Sequence, residues 1–134
     1  MLTPWLDSLR IFLHVLAATV WVGGQLTLAA LVPVMRRRDA GLPKVAAQAF
    51  NRIAWPAYWV LVATGVWNVV ALRSEGPTHA WNAVLMVKVA VVALSGVAAF
   101  MHTRAKTTRV LAIWGALTGL TALAATYVGV LLAG

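Results

Sequence analysis

Four long apolar stretches follow one another along the chain, separated by short segments that carry charge, proline or glycine. The stretches cover about residues 9–34, 53–72, 81–101 and 110–133. Each is near the ~20 residues that an α-helix needs to cross the hydrocarbon core of a bilayer. Because the connections are short, the pattern predicts an all-α integral membrane protein, a single domain formed by an antiparallel bundle of four transmembrane helices.

The composition also favours a membrane protein over a soluble one. Hydrophobic residues make up 62% of the 134 residues and charged residues only 10%, whereas soluble domains carry about 25% charged residues. The net charge of +8 lies in clusters between the apolar stretches, which is typical of membrane topology signals and not of nucleic-acid binding. Cysteine is absent, so disulfides and thiolate metal sites are excluded.

The basic residues predict how the chain is oriented in the bilayer. Arg10 and Arg73 flank one side, where Asp7 and Glu75 offset them. Lys and Arg favour the cytoplasmic side, so we expect a multi-pass protein of the cytoplasmic (inner) membrane with both termini periplasmic or extracellular. The basic residues expected on the cytoplasmic side are Arg36, Arg37, Arg38, Lys44, Arg52, Arg104, Lys106 and Arg109.

Two ionisable residues lie inside the apolar stretches, His14 in the first and Lys88 in the third. Ionisable groups in hydrocarbon are costly and mark candidate functional sites. His14 lies roughly 6 Å deeper than Arg10, and Lys88 about 10 Å inside Trp81, at a rise of 1.5 Å per residue. Since both helices are expected to enter from the outside, the two side chains are predicted at similar depth in the outer leaflet.

Helical periodicity adds further residues to this predicted site. Residues spaced by three and four positions share one face of a helix. By this spacing Trp21 shares a helix face with His14, and His102 shares one with Lys88. Thr64, Asn68 and Tyr127 are expected near the same depth. Two simpler interpretations remain open: Lys88 extends toward the headgroups, or His14 is a packing histidine bonded to Asn68 or Tyr127. The candidate cofactor-binding residues are His14, Arg10, Lys88, Asn68 and Trp21, and the candidate catalytic residues are Lys88 and Tyr127.

Two kinds of metal chemistry fit these residues. Copper(I) prefers soft ligands and also accepts imidazole, and the candidate metal ligands are His14, His79, Met86 and His102. Haem b needs an axial ligand such as His14, with Arg10 or Arg73 near its propionates. His14 and His102 are expected roughly 20 Å or more apart along the membrane normal, too far to ligate one haem together. Hydrolytic chemistry has no candidates, because there is no paired carboxylate or Ser-His-Asp set.

Short motifs resemble the CopD-type copper-resistance membrane domain. His14 followed by Trp21, Gly23 and Gly24 is similar to a pattern in the first helix of that family. Further similar segments are Phe50-Asn51-Arg52-Ile53-Ala54, Thr64-Gly65-Val66-Trp67-Asn68 and Leu85-Met86-Val87-Lys88. The resemblance implies a protein that handles copper at the inner membrane by binding, uptake or resistance, with His14 as ligand or relay and Lys88 tuning charge.

The same architecture resembles the HemJ-type protoporphyrinogen oxidases through His14, Trp21, Lys88 and His102, with Pro56 as a further match. This second resemblance implies a haem b protein and, if the chain is an enzyme, a haem-dependent membrane oxidoreductase with a porphyrin substrate. A third hypothesis is an accessory subunit without a site of its own. Copper and haem b, and a homo-oligomer or a larger membrane complex, all remain open.

Overall fold

The computed structural model describes residues 4–134, apart from the side chain of Ser74. The described residues form α-helices and turns, with no strand. A π-helical turn, Thr19–Gly23, joins the first two helices into one continuous segment, and a 3₁₀ turn, Arg73–Glu75, follows the third. The helices are α1 (Trp5–Ala18), α2 (Gly24–Arg38), α3 (Leu42–Leu72), α4 (His79–Arg104) and α5 (Thr108–Ala133).

Four helical segments are long and apolar enough to cross a membrane, and they contain the four predicted stretches. That part of the prediction is confirmed. The segments extend beyond the apolar stretches, because most of the polar connector at residues 39–52 is helical: α3 begins at Leu42. A helix satisfies its own backbone hydrogen bonds, which is the condition for a chain to cross hydrocarbon. The segments are Trp5–Arg38, Leu42–Leu72, His79–Arg104 and Thr108–Ala133.

Burial follows the pattern of a membrane protein rather than that of a water-soluble one. Large apolar side chains such as Trp59, Val70 and Leu120 are more than 60% exposed. Small and hydroxyl side chains allow helix backbones to approach closely in a bilayer. Such side chains make up most of the buried set, which includes Ala17, Ala54, Thr64, Ser95, Ala98, Thr118, Thr121 and Ala122.

Contacts divide the chain into two compact units, Met1–Glu75 (unit 1) and Gly76–Gly134 (unit 2). Gly76 begins unit 2 with a φ of +65°, a backbone conformation that glycine adopts without strain. Each unit is a helical hairpin. The assembly of the two hairpins into one antiparallel four-helix domain stays a prediction.

In unit 1 the α1–α2 segment packs along α3 in the opposite direction. His14 contacts Thr64 near one end, Trp21 contacts Tyr58, and a Cβ on Gly24 would overlap the ring of Phe50. A tight turn at residues 39–41 closes the hairpin.

The π-helical turn begins at a threonine and ends at a pair of glycines. Thr19 Oγ1 donates a hydrogen bond of 2.8 Å to the carbonyl oxygen of Val15. Thr118, Thr121 and Thr126 make the same bond within a regular helix, so this bond alone does not produce the turn. Gly23 and Gly24, at the end of the turn, lower the resistance of the backbone to an irregular turn. Trp21 lies inside the turn with 4% of its surface exposed.

In unit 2, α4 and α5 pair along their whole length. His102 Nδ1 lies 2.8 Å from the carbonyl oxygen of Leu111, and the Lys88 side chain lies over Gly129. Both helices begin with a threonine cap: Thr78 Oγ1 accepts the N–H of Trp81, and Thr107 Oγ1 accepts that of Val110. Such caps satisfy amide groups that have no partner within the helix.

Candidate functional site

A line of polar side chains lies between α1 and α3 of unit 1. His14 is half-buried on α1, and its Nδ1 atom lies 2.9 Å from Oγ1 of Thr64, which is buried on α3. The prediction that Thr64 lies near the depth of His14 is therefore confirmed. The imidazole also packs on the α3 backbone, since a Cβ on Gly65 would lie 3.5 Å from its Cε1 atom.

The hydrogen bonds of Thr64 bear on which ring nitrogen of His14 carries the proton. Thr64 Oγ1 lies 2.7 Å from the carbonyl oxygen of Val60 and 3.2 Å from that of Leu61. Carbonyl oxygens only accept, so the single hydroxyl proton is donated to the backbone and Oγ1 accepts the N–H of His14 Nδ1. A neutral imidazole that carries its proton on Nδ1 has its lone pair on Nε2. This is the arrangement of metal-ligating histidines, whose other ring nitrogen donates to a second group.

Arg10 extends the polar line by one helical turn. It is 6% exposed, and its Nη2 atom lies 3.2 Å from Asp7 Oδ1, whose side chain is 44% exposed. The Nε and Nη1 atoms are buried and have no hydrogen-bond partner in the described structure. Buried donors without acceptors are unfavourable, and a guanidinium matches the two oxygens of a carboxylate or the oxygens of a phosphate. Arg10 is thus equipped to bind an anionic group.

Four aromatic residues surround the π-helical turn and form a cluster that was not predicted. The ring of Trp21 lies 4.7 Å from that of Tyr58 and 5.5 Å from that of Trp55, centroid to centroid. Trp59 extends the cluster to the exposed surface, 5.4 Å from Tyr58. The sequence signal was present in the spacing of Trp55, Tyr58 and Trp59, which steps of three and four place on one face. Trp21, one of the predicted site residues, therefore packs against other aromatic side chains.

Lys88 is half-buried in unit 2 and directs its amine toward α5. Its Nζ atom would lie 3.1 Å from a Cβ on Gly129, so the absence of a side chain there makes room for the ammonium. One turn away, Val84 contributes to a shallow groove of about 280 Å³ between the ends of α4 and α5. The groove is lined by Thr78, Ala80, Trp81, Val84, Leu131 and Leu132.

His102 is held at the opposite end of unit 2. A carbonyl oxygen only accepts, so Nδ1 of His102 donates to Leu111. The ring lies against Gly115, where a Cβ would come within 2.9 Å of the Cε1 atom. His102 therefore links the end of α4 to the beginning of α5. This contact gives it a structural role within the hairpin.

The other predicted site residues are spread over the surface. His79 is exposed, Met86 and Tyr127 are each 66% exposed, and Asn68 is half-buried. Helix rise separates His79 from His102 by roughly 35 Å on α4. Within the described part of the chain, no group of three or more His, Cys, Asp or Glu residues converges on a common point. The four candidate metal ligands thus do not form one such group, and His14 belongs to unit 1 whereas the other three belong to unit 2.

Four membrane-length helices of this composition define the class, a multi-pass helical membrane protein. Comparisons of the chain with protein-family models, with curated proteins and with solved structures find no match. The CopD-type and HemJ-type resemblances therefore rest on their short motifs alone.

Proposed function

We propose that this protein is a haem b-binding redox protein of the inner membrane, with His14 as an axial ligand of the iron. The hydrogen bond between His14 Nδ1 and Thr64 Oγ1 carries this proposal. It holds the imidazole in the tautomer whose Nε2 lone pair ligates metals, and it fixes the ring between α1 and α3. When bound, haem supplies one-electron redox chemistry.

The donor set of unit 1 suits haem better than a copper ion. Haem brings four ligand nitrogens of its own and needs only an axial ligand from the protein, which His14 can provide. A copper ion takes its ligands from protein side chains, with sulfur preferred for copper(I). The described residues contain no convergent group of three or more His, Cys, Asp or Glu side chains, and the side chain of Met86 is 66% exposed in the other unit. Copper handling, which the CopD-type resemblance implies, therefore has less support.

Arg10 adds the counter-charge that a haem requires. Its two buried, unpaired donor atoms lie on the face of α1 that also carries His14, one turn nearer the N-terminus. A propionate is a carboxylate and pairs well with a guanidinium. We assign Arg10 to bind a propionate and His14 to bind the iron. Thr64 positions the imidazole through its hydroxyl group.

The proposal includes the orientation of the chain in the membrane. The excess of Lys and Arg at the turn of each hairpin supports placing both turns in the cytoplasm and both termini outside. In this orientation Arg10 and His14 lie in the outer half of the membrane. The bound group would then be closer to the periplasmic side than to the cytoplasm.

Titration of detergent-purified protein with hemin tests the proposal. We expect a Soret absorbance that saturates at equimolar hemin, and a large loss of affinity in His14→Ala. Thr64→Val should weaken binding about 10–100-fold, the usual effect of removing the partner of a ligating histidine, whereas Thr64→Ser should bind normally. The control is His79→Ala, which removes an exposed histidine of unit 2 and should bind as the wild type does.

Two outcomes would contradict haem ligation by His14. One is wild-type hemin affinity in a folded His14→Ala protein. The other is a protein that does not bind hemin but binds copper(I) in competition with a chelator, with the binding lost in His14→Ala. That second result would establish copper handling instead.

A further inference from the structure

The helices of unit 1 are longer than the membrane requires. Trp5–Arg38 has 34 residues and Leu42–Leu72 has 31, whereas His79–Arg104 and Thr108–Ala133 have 26 each. At 1.5 Å per residue the first two measure roughly 51 and 46 Å. A hydrocarbon core is about 30 Å thick, and a bilayer with its headgroups about 40–45 Å. The helices of unit 1 are therefore long enough to reach the headgroups on both sides.

The polar residues identify the end that extends, which is the turn of the hairpin with its flanking helix ends (residues 36–52, the basic tip). Asp39 is the only acidic residue of the tip, and its Oδ1 atom accepts the N–H of Gly41 at 2.7 Å. The ion pair found among the described residues joins Arg10 to Asp7, outside the tip. Five exposed basic residues of the tip are thus available to a partner: Arg36, Arg37, Arg38, Lys44 and Arg52.

The beginning of α3 places polar and apolar side chains side by side on its exposed surface. Lys44, Gln48 and Arg52 follow steps of four residues and form a polar stripe. Each is followed directly by an exposed apolar residue, so an apolar stripe runs next to the polar one. The apolar stripe consists of Val45 (60% exposed), Ala49 and Ile53 (58% exposed).

We propose that the basic tip binds the headgroups of anionic phospholipids. Lys44 and Arg52 lie in the part of α3 that leads into the membrane, so their positive groups can reach the phosphates while Ile53, where the apolar stretch begins, contacts acyl chains. Clusters of basic residues directly beside a membrane-spanning helix bind anionic headgroups in this way. A soluble acidic partner would pair with the charges but would leave the apolar stripe without a lipid contact. The proposal does not depend on haem or on His14.

Native mass spectrometry of the full-length protein tests the proposal. The protein in detergent is incubated with equimolar phosphatidylglycerol and phosphatidylcholine, and the retained lipids are counted. We expect phosphatidylglycerol to be preferred, and K44Q/R52Q to reduce its retention on the order of tenfold or more, from the contribution of each basic residue near an anionic surface. The matched control is K106Q/R109Q, which removes the same charge from exposed positions of unit 2 and should retain the lipid.

A second measurement needs no variant. Raising the ionic strength should lower the preference of the wild type for phosphatidylglycerol, because salt screens exposed charges. Equal retention of the two lipids, equal losses in the two double variants, or a preference that salt does not change would overturn the proposal. Displacement of phosphatidylglycerol by a polyglutamate peptide, with the ionic strength held constant, would also overturn it.

Discussion

Gly115 illustrates how a single residue determines the packing of a hairpin. The ring of His102 lies on it and is held there by the hydrogen bond to Leu111. We predict that Gly115→Ala lowers the free energy of unfolding by about 1–3 kcal/mol, the usual cost of overpacking. The cost arises because the ring must move and weaken that hydrogen bond. Thermal unfolding in detergent, followed by circular dichroism, measures the effect.

Gly119 provides the control for this prediction, because it lies one turn further along α5 and a Cβ there meets no atom within 4 Å. Gly119→Ala should raise the melting temperature slightly, because alanine is about 1 kcal/mol more favourable than glycine within a helix. In the double variant H102A/G115A the added methyl group should cost little, since the ring that it strikes is absent. Equal melting temperatures for Gly115→Ala and the wild type would contradict the assigned contact.

For single residues, the position along the helix axis could be predicted from the sequence more reliably than the direction in which the side chain points. Helix rise placed Thr64 and Tyr127 at the level of His14, and Thr64 indeed bonds to it. Tyr127 is instead 66% exposed. The rise per residue is a property of the helix alone, whereas the direction of a side chain depends on the helix that packs against it. For the same reason the buried donors of Arg10 could not be predicted.

For the helices, the sequence likewise predicts their presence better than the residues at which they begin and end. Hydropathy located the four spans but not the helix ends, because a helix continues beyond the hydrocarbon where its residues allow. Ala46, Ala47, Gln48 and Ala49 are good helix formers, and they continue α3 through the predicted connector. The π-helical turn adds one residue to a helical turn and leaves no trace in hydropathy.

The two ends of the hairpins allow a test of the proposed orientation. The chain contains no cysteine, so single cysteines can be introduced without background labelling. We predict that Ala40→Cys, in the turn of unit 1, resists a membrane-impermeant maleimide in intact cells. His79→Cys, at the beginning of α4, should react under the same conditions. After permeabilisation both should react, and the reverse pattern in intact cells would refute the orientation with both termini outside.

At the scale of the whole molecule, the class of membrane protein could be predicted from the sequence. The reason is that the surrounding solvent, lipid or water, determines which residues the surface of a protein can carry. Exposed Trp59, Val70 and Leu120 are compatible with lipid and not with water. The buried positions of unit 2 are occupied by small and hydroxyl residues, and those of unit 1 also include Arg10, Trp21, Tyr58 and Leu61. A site shared by His14 and Lys88 stays a prediction, since it depends on how two separate hairpins associate. The periodicity of residues within a single helix does not show how two hairpins associate.

Analysis of the protein as isolated from its own membrane tests haem binding most directly. Iron and copper are quantified by mass spectrometry, and any extracted pigment is identified from its mass and absorption. Our account predicts iron and a tetrapyrrole in equal amounts, approaching one of each per chain, and loss of both in His14→Ala while the helices remain folded. Copper alone at a comparable level, or a protein that carries neither iron nor tetrapyrrole, would contradict it.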